Sequence, residues 1–166
     1  YKRQLQAETL TVNQPENLCL VTQTTLSVSD TEEIVLKLKE KFPMLQEPKS
    51  EDICYATQNR QDAVKQLALE SDLILVVGSE NSSNSTRLKE LAENCGVKSF
   101  LVDDPEKISS INLEGVKTMG ITAGASAPEE LVQQMVSKCS TLGYKVNQEI
   151  SGLKEEVFFK LPAELR

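Results

Sequence analysis

The segment LILVV, residues 73–77, is a short apolar run rich in β-branched side chains, and it ends directly at Gly78. A run that is apolar on both faces is typical of a strand buried inside a parallel sheet. The segment TRLKELAENC, residues 86–95, has the spacing of an amphipathic helix, and Gly96 follows it, where helix C-termini favour glycine. The two segments predict a strand–loop–helix unit, and therefore an α/β fold built on a parallel sheet.

Comparable units flank this one along the chain. The sequence predicts further strands at residues 52–55, 98–102 and 116–121, and further helices at residues 60–70 and 129–142. We expect residues 51–143 to form one α/β domain from these elements. Residues 144–166 would then be a C-terminal tail, in which VFFKL, residues 157–161, predicts a last strand.

Residues 1–50 contain fewer elements than the rest of the chain. They predict one strand at residues 17–22 and one helix at residues 31–41, with Asp30 as the N-cap of a capping box. One strand and one helix cannot bury both faces of a sheet, so we interpret this part as the back half of a preceding α/β domain. The chain begins with Tyr1 instead of methionine, and we expect it to be a piece of a longer protein.

The composition restricts the possible function classes. The 166 residues carry a net charge of -7, which argues against nucleic acid or an anionic membrane as a partner, because both reward clustered Lys and Arg. No apolar run is long enough for a transmembrane helix, and we expect a cytoplasmic protein. The chain has no histidine, which excludes Ser-His-Asp and Cys-His catalysis within it. The four cysteines lack CxxC spacing, so neither a zinc site nor a disulfide framework is indicated.

Three polar segments follow predicted strands, and the carboxyl ends of parallel strands meet at one edge of a sheet. They are residues 54–59, 78–85 and 122–128. The second and third are rich in hydroxyl and amide groups, and each opens a helix whose N–H groups favour an anion. We expect a phosphate or diphosphate site there, although Asn84 or Ser126 alone could also be a helix N-cap. Cys54 belongs to the same edge, where a helix N-terminus favours a thiolate, but a lone cysteine is more often a small buried hydrophobe.

Five segments carry a resemblance to a known family. They are VTQTTLS (residues 21–27), DICYAT (52–57), NRQ (59–61), VGSENSSNS (77–85) and TAGASAP (122–128). In order and spacing they closely resemble the 4-hydroxy-3-methylbut-2-enyl diphosphate reductases of the non-mevalonate isoprenoid pathway, also called the IspH or LytB family. The resemblance extends over essentially the whole chain, which would be the C-terminal portion of such an enzyme.

The resemblance implies three similar α/β domains around a 4Fe-4S cluster, with this chain supplying the back half of the second, the whole third and the tail. It implies an iron-sulfur oxidoreductase that converts 4-hydroxy-3-methylbut-2-enyl diphosphate to isopentenyl and dimethylallyl diphosphate by reductive dehydroxylation. It also implies ferredoxin or flavodoxin as the electron donor, and a bacterial cytoplasm or a plastid stroma as the location.

By position, Cys54 resembles a cluster ligand, and Thr24 resembles the threonine that contacts the substrate near its reacting end. The residues that resemble diphosphate binders are Ser82, Asn84 and Ser126, with Ser83 and Thr57 as weaker candidates. The family's other cluster cysteines, its substrate-contacting histidines and its glutamate proton donor would lie in the missing N-terminal half. Because one thiolate cannot hold a cluster that needs three or four, the chain alone is predicted to be inactive.

Two alternatives stay open. One is a cluster-free diphosphate-binding or interaction module derived from the enzyme. The other is a thiol enzyme that uses Cys54 without a histidine, for which no base lies nearby in the sequence.

Overall fold

The computed structural model of the chain describes residues 3–47 and 53–150. Its helices and strands, in chain order, are α1 Arg3–Thr9, α2 Val28–Lys41, α3 Tyr55–Glu70, β1 Leu73–Val77, α4 Ser83–Asn94, β2 Lys98–Val102, a 3-10 helix Pro105–Ser110, β3 Met119–Ala123 and α5 Glu129–Thr141. No helix in these two ranges is long and apolar enough to cross a membrane. The predicted strand at residues 157–161 and the predicted boundary at residue 50 lie outside the described residues.

The three strands form one sheet in the order β2-β1-β3, and every pairing is parallel. The register places Val77, the last residue of β1, beside Val102 on one side and Ala123 on the other. All three strands therefore end at the same level. The predicted α/β class with a parallel sheet is confirmed.

Helices cover both faces of the sheet, which explains why all five side chains of β1 are buried. On one face, Ile74 and Val76 pack with Val64 of α3 and Leu88 of α4. On the other face, Leu73, Leu75 and Val77 pack with Ile108, Met135 and Cys139 from the 3-10 helix and α5. Burial raises the pKa of the Cys139 thiol, whose Sγ lies 3.5 Å from Met119 Sδ, so this cysteine belongs to the core.

The first part of the chain is built mainly from two helices, α1 packed against α2. The predicted strand at residues 17–22 is wrong for this region, where only an isolated parallel bridge joins Cys19 to Gln46. Two backbone hydrogen bonds support the bridge, from Leu20 N to Gln46 O at 2.8 Å and from Gln46 N to Leu18 O at 2.9 Å. Among the described residues, this segment pairs with no longer stretch of the chain, so it does not form a sheet.

Several predicted boundaries need correction. The helix predicted at residues 31–41 begins at Val28, so Asp30 lies inside its first turn and is not the N-cap. The Ser27 carbonyl, which accepts from Thr31 N at 3.1 Å and Thr31 Oγ1 at 2.7 Å, shows why the helix starts earlier. The strand predicted at 116–121 begins at Met119, because the N–H groups of Lys117 and Thr118 donate to the Asp72 carboxylate.

The strand predicted at residues 52–55 is also wrong where the structure describes it. Tyr55 is the first residue of α3, and Cys54 is the residue that precedes the helix. The helix predicted at residues 60–70 is therefore five residues longer at its N-terminus. Three short apolar residues carry too little periodicity to separate a strand from a helix start.

Candidate functional site

Two polar loops begin side by side where β1 and β3 end. Gly78 N donates to Val102 O at 3.0 Å, and Gly124 N donates to Val77 O at 2.9 Å, so both loops leave the sheet at its carboxyl edge. In an open parallel sheet this edge is where ligands bind. The structure thus brings together the segments that contain Ser82, Asn84 and Ser126.

The first loop, residues 78–82, leads into α4 through Ser82. Ser82 is the N-cap, with its Oγ accepting from Ser85 N at 3.3 Å, and α4 begins at Ser83. The helix is therefore three residues longer at its start than predicted, and Asn84 is not its cap. The first turn of α4 contains no acidic residue, so the partial positive charge of this helix end is not offset within the turn.

Asn84 is the most unusual polar residue at this edge. It is only 6% exposed, and neither its Nδ2 nor its Oδ1 has a hydrogen-bond partner among the described residues. Buried side-chain amides are nearly always satisfied, because burying one without a partner costs about 1–3 kcal/mol. An unsatisfied donor and acceptor at the mouth of a parallel sheet is the arrangement expected of a group that binds a polar ligand.

The second loop places Ser126 in an exposed turn, in which Ala127 N donates to Gly124 O at 3.0 Å. The residue before α5 is Pro128, which makes no side-chain cap, so Ser126 is not needed as one. Glu129 and Glu130 occupy the first turn of α5 and oppose an anion there. Of the two helix starts, α4 is the better anion site.

Ser85 connects the two loops and is not among the site residues predicted from the sequence. It is 1% exposed, and a β-carbon added at Gly78 or Gly124 would lie 2.3 Å or 2.1 Å from its Oγ. Such distances are below any real contact, so glycine is required at both positions if Ser85 is to fit. A glycine directly after each of two neighbouring strands, with a small residue in the next helix, is the signal that could have identified it.

The third polar segment starts α3. Cys54 is the half-buried N-cap residue, its side chain makes no capping hydrogen bond, and its carbonyl accepts from Thr57 N at 2.8 Å. Thr57 is buried within the first helical turn and does not lie in a loop as predicted.

At about 1.5 Å per residue in a helix and 3.3 Å in a strand, α3 is longer than β1. Because α3 ends just before β1 begins, its N-terminus reaches the carboxyl edge.

The segment with Thr24 is held against this helix start. Cys54 N donates to Thr24 O at 3.2 Å, and Gln61 Nε2 donates to Leu26 O at 2.8 Å. Gln61 is buried, so the second bond is shielded from water. The structure therefore brings Thr24 and Cys54 together, while the Thr24 side chain itself is exposed.

The described residues do not provide a complete metal site. No group of three or more His, Cys, Asp or Glu side chains in this part of the chain could hold a metal ion. Cys19 and Cys95 are exposed elsewhere, and Cys139 lies in the core. A 4Fe-4S cluster requires three or four thiolates, so these residues alone do not fit one.

The charged side chains around the carboxyl edge favour an anion held by neutral hydrogen-bond donors over one held by a pair of cations. Arg87, which flanks the first loop, forms an ion pair with Glu90 one turn further along α4. After β2, Lys107 pairs with Asp103, and its hydrogen bond lowers the pKa of that carboxyl. The polar groups at this edge that are left to meet an anion are therefore the hydroxyls, the Asn84 amide and backbone N–H groups.

Comparison with known proteins gives consistent matches. The profile of the LytB protein family matches residues 2–140. A 4-hydroxy-3-methylbut-2-enyl diphosphate reductase from Haemophilus influenzae (strain PittEE) is 56% identical over 95% of this chain. The reductase of the same name from Alcanivorax borkumensis is 54% identical over 95% of the chain. In both cases the chain spans 50% of the relative's length.

A solved structure shows the same similarity in three dimensions. The E-1-hydroxy-2-methyl-but-2-enyl-4-diphosphate reductase from Plasmodium falciparum superposes with a TM-score of 0.85 at 35% sequence identity. The match covers 95% of this chain and 50% of that one. The architecture described above is thus similar to one half of a larger protein.

Proposed function

Because the chain belongs to the LytB protein family, we propose that it forms the diphosphate-binding half of a 4-hydroxy-3-methylbut-2-enyl diphosphate reductase. The chain spans half the length of its relatives, so the remaining groups would come from a polypeptide equivalent to their other half. The observation that carries the proposal is the buried, unsatisfied amide of Asn84 beside the N-terminus of α4. A diphosphate would satisfy this amide and the helix N–H groups together.

The diphosphate contacts are assigned to both loops of the carboxyl edge. Ser82 at the end of the first loop and Asn84 in the first turn of α4 are the principal ligands, Ser83 is a weaker one, and Ser126 acts from the second loop. Thr57, which is buried in the first turn of α3, remains a weaker candidate for a diphosphate contact. The substrate is anionic, and neutral donors in a partly enclosed site bind it without an arginine clamp.

Thr24 and Cys54 form the reacting end of the proposed site. The hydrogen bond from Cys54 N to Thr24 O keeps the two residues adjacent, so Thr24 would contact the substrate close to where Cys54 would ligate iron. Cys54, together with thiolates of the front half, would hold a 4Fe-4S cluster through which two electrons from an external donor would reach the substrate. With two protons, these electrons would replace the C–OH bond by a C–H bond and release one water. Ferredoxin or flavodoxin would reduce that cluster. The chain alone is proposed to be inactive, because it offers one cluster thiolate.

Complementation tests this function directly. The chain is coexpressed anaerobically with the front half of the Haemophilus influenzae reductase, and the purified complex is assayed for iron and for substrate reduction. About four irons per complex are expected, as a 4Fe-4S cluster requires. Cys54→Ser should lose iron and activity, whereas the matched control Cys95→Ser should keep both. A stable complex without iron or activity would contradict the proposal.

A second candidate is a diphosphate-binding or interaction module that holds no cluster. It is favoured by the fact that Cys54 is the one cysteine in the three polar segments, residues 54–59, 78–85 and 122–128. The two functions separate in the complex with the front half and not in the isolated chain, which both expect to bind inorganic pyrophosphate. The module predicts that the chain binds inorganic pyrophosphate, that Ser82→Ala with Asn84→Ala abolishes binding, and that adding the front half brings in no iron.

A further inference from the structure

Ser85, in the first turn of α4, differs from the neighbouring hydroxyl residues Ser82 and Ser83 because it faces protein on all sides. It is 1% exposed, and its Oγ occupies the space that side chains at Gly78 and Gly124 would need. It therefore cannot be a direct contact of a ligand in the way that Ser82 or the exposed Ser83 can. Its hydroxyl is instead directed at Ser82, donating from Ser85 Oγ to Ser82 Oγ at 3.0 Å.

The contact with Ser85 determines which further hydrogen bonds the Ser82 hydroxyl can make. A serine hydroxyl has one proton to donate and two lone pairs that accept. Ser85 fills both acceptor positions of Ser82, one with its backbone N–H at 3.3 Å and one with its hydroxyl at 3.0 Å. The capacity that remains to Ser82 is its own proton, which it can only donate. A hydroxyl that can only donate a hydrogen bond can bind an anion but cannot coordinate a cation.

We propose that Ser85 is a positioning residue for the diphosphate, which commits the Ser82 hydroxyl to donation. The inference rests on the proposed function, since it concerns the same anion site. Ser85 acts through Ser82, without touching the ligand. The two acceptor bonds also polarise the Ser82 hydroxyl, which strengthens its hydrogen bond to a phosphate oxygen.

The test is pyrophosphate binding to the 166-residue chain by isothermal titration calorimetry, with Ser85→Ala compared to wild type. Ser85→Ala keeps the β-carbon and removes only the hydroxyl, and affinity is expected to fall about tenfold, as for loss of a hydrogen bond that supports a charged group. Ser99→Ala is the matched control, because Ser99 is also buried and its Oγ donates to Ile74 O at 3.1 Å within the same sheet. Both variants should lose similar thermal stability, but only Ser85→Ala should lose affinity.

A double-variant cycle separates positioning from general support of the fold. If Ser85 acts through Ser82, Ser82→Ala combined with Ser85→Ala should bind pyrophosphate no more weakly than Ser82→Ala alone. Additive losses, or wild-type affinity in Ser85→Ala, would overturn the inference and leave the proposed function intact. Absence of pyrophosphate binding by the wild-type chain would overturn the diphosphate site itself.

Discussion

Asn84 is expected to favour binding at the expense of stability. Its buried amide has no partner among the described residues, so the unliganded chain carries a desolvation cost of about 1–3 kcal/mol. We predict that Asn84→Ala leaves the free energy of unfolding unchanged or raises it, while pyrophosphate affinity falls. Urea unfolding with and without pyrophosphate measures both effects. The matched control is Asn94→Ala, at the exposed end of the same helix, which should not change binding.

Gly124 is expected to be intolerant of a side chain for steric reasons. A β-carbon there would lie 2.1 Å from Ser85 Oγ and 3.2 Å from Ser85 Cβ. We predict that Gly124→Ala lowers the free energy of unfolding by about 1–3 kcal/mol, as overpacking does. In a Ser85→Ala background the closest clash is removed, so the same substitution should cost clearly less. Equal costs in the two backgrounds, measured by urea unfolding, would show that Ser85 is not the obstacle.

The residues of the site were only partly predictable from the sequence. The density of hydroxyl and amide groups at residues 81–84 predicts an anion site because no cap requires so many, and the structure brings Asn84 and Ser82 to the expected edge. Ser85 was harder to identify, because its role depends on Gly78 and Gly124, which are distant in sequence and close to Ser85 in space. The ligand roles themselves stay predictions.

At the scale of elements, the buried Gln61 connects α3 to the segment that carries Thr24. Its amide donates to Leu26 O at 2.8 Å. We predict that Gln61→Ala preserves α3, since alanine is a good helix former, but releases residues 23–27 from it. Hydrogen–deuterium exchange should then accelerate in peptides covering those residues. Gln66→Ala, on the exposed side of the same helix, should leave exchange there unchanged.

Asp72 connects the turns that precede β1 and β3. Its Oδ2 accepts from Lys117 N at 2.9 Å and Thr118 N at 2.8 Å, and these hydrogen bonds lower the pKa of Asp72 below its ordinary 3.8. The ionised carboxylate therefore stabilises the fold above that value, and the contribution is lost as the pH falls through the lowered pKa. We predict that Asp72→Asn is less stable than wild type at neutral pH. The difference should shrink in strongly acidic buffer, as followed by urea unfolding.

The helices and strands differ in how accurately the sequence predicts their bounds. The strands β1 and β2 are predicted with correct bounds and α5 within one residue, because a glycine or proline lies within two residues of at least one end of each. The predicted starts of α2, α3 and α4 are too late. At α4 the reason is that several neighbouring hydroxyls near Ser82 could each serve as the N-cap. The start of β3 depends on Asp72, a residue far away in the sequence.

At the scale of the whole molecule, the carboxyl edge is where a front-half polypeptide would have to join the chain. Val21, which is close in sequence to Thr24, is 80% exposed. We predict that Val21→Asp leaves the unfolding of the isolated chain unchanged but weakens its association with the front half. Size-exclusion chromatography of the mixture measures this. Leu69→Asp, 86% exposed near the opposite edge of the sheet, should associate normally.

The strand order β2-β1-β3 also determines when the sheet can form during synthesis of the chain. The central strand β1 is the first of the three to leave the ribosome, and both of its neighbours are encoded later. Its five apolar residues must therefore wait, unpaired on both edges, until α4 and the segments after it have been synthesised. Such a segment is an aggregation hazard in a nascent chain, and parallel pairing is intrinsically slow. Yield on refolding from denaturant should accordingly fall as protein concentration rises, because LILVV is then more often exposed to other chains before it is buried.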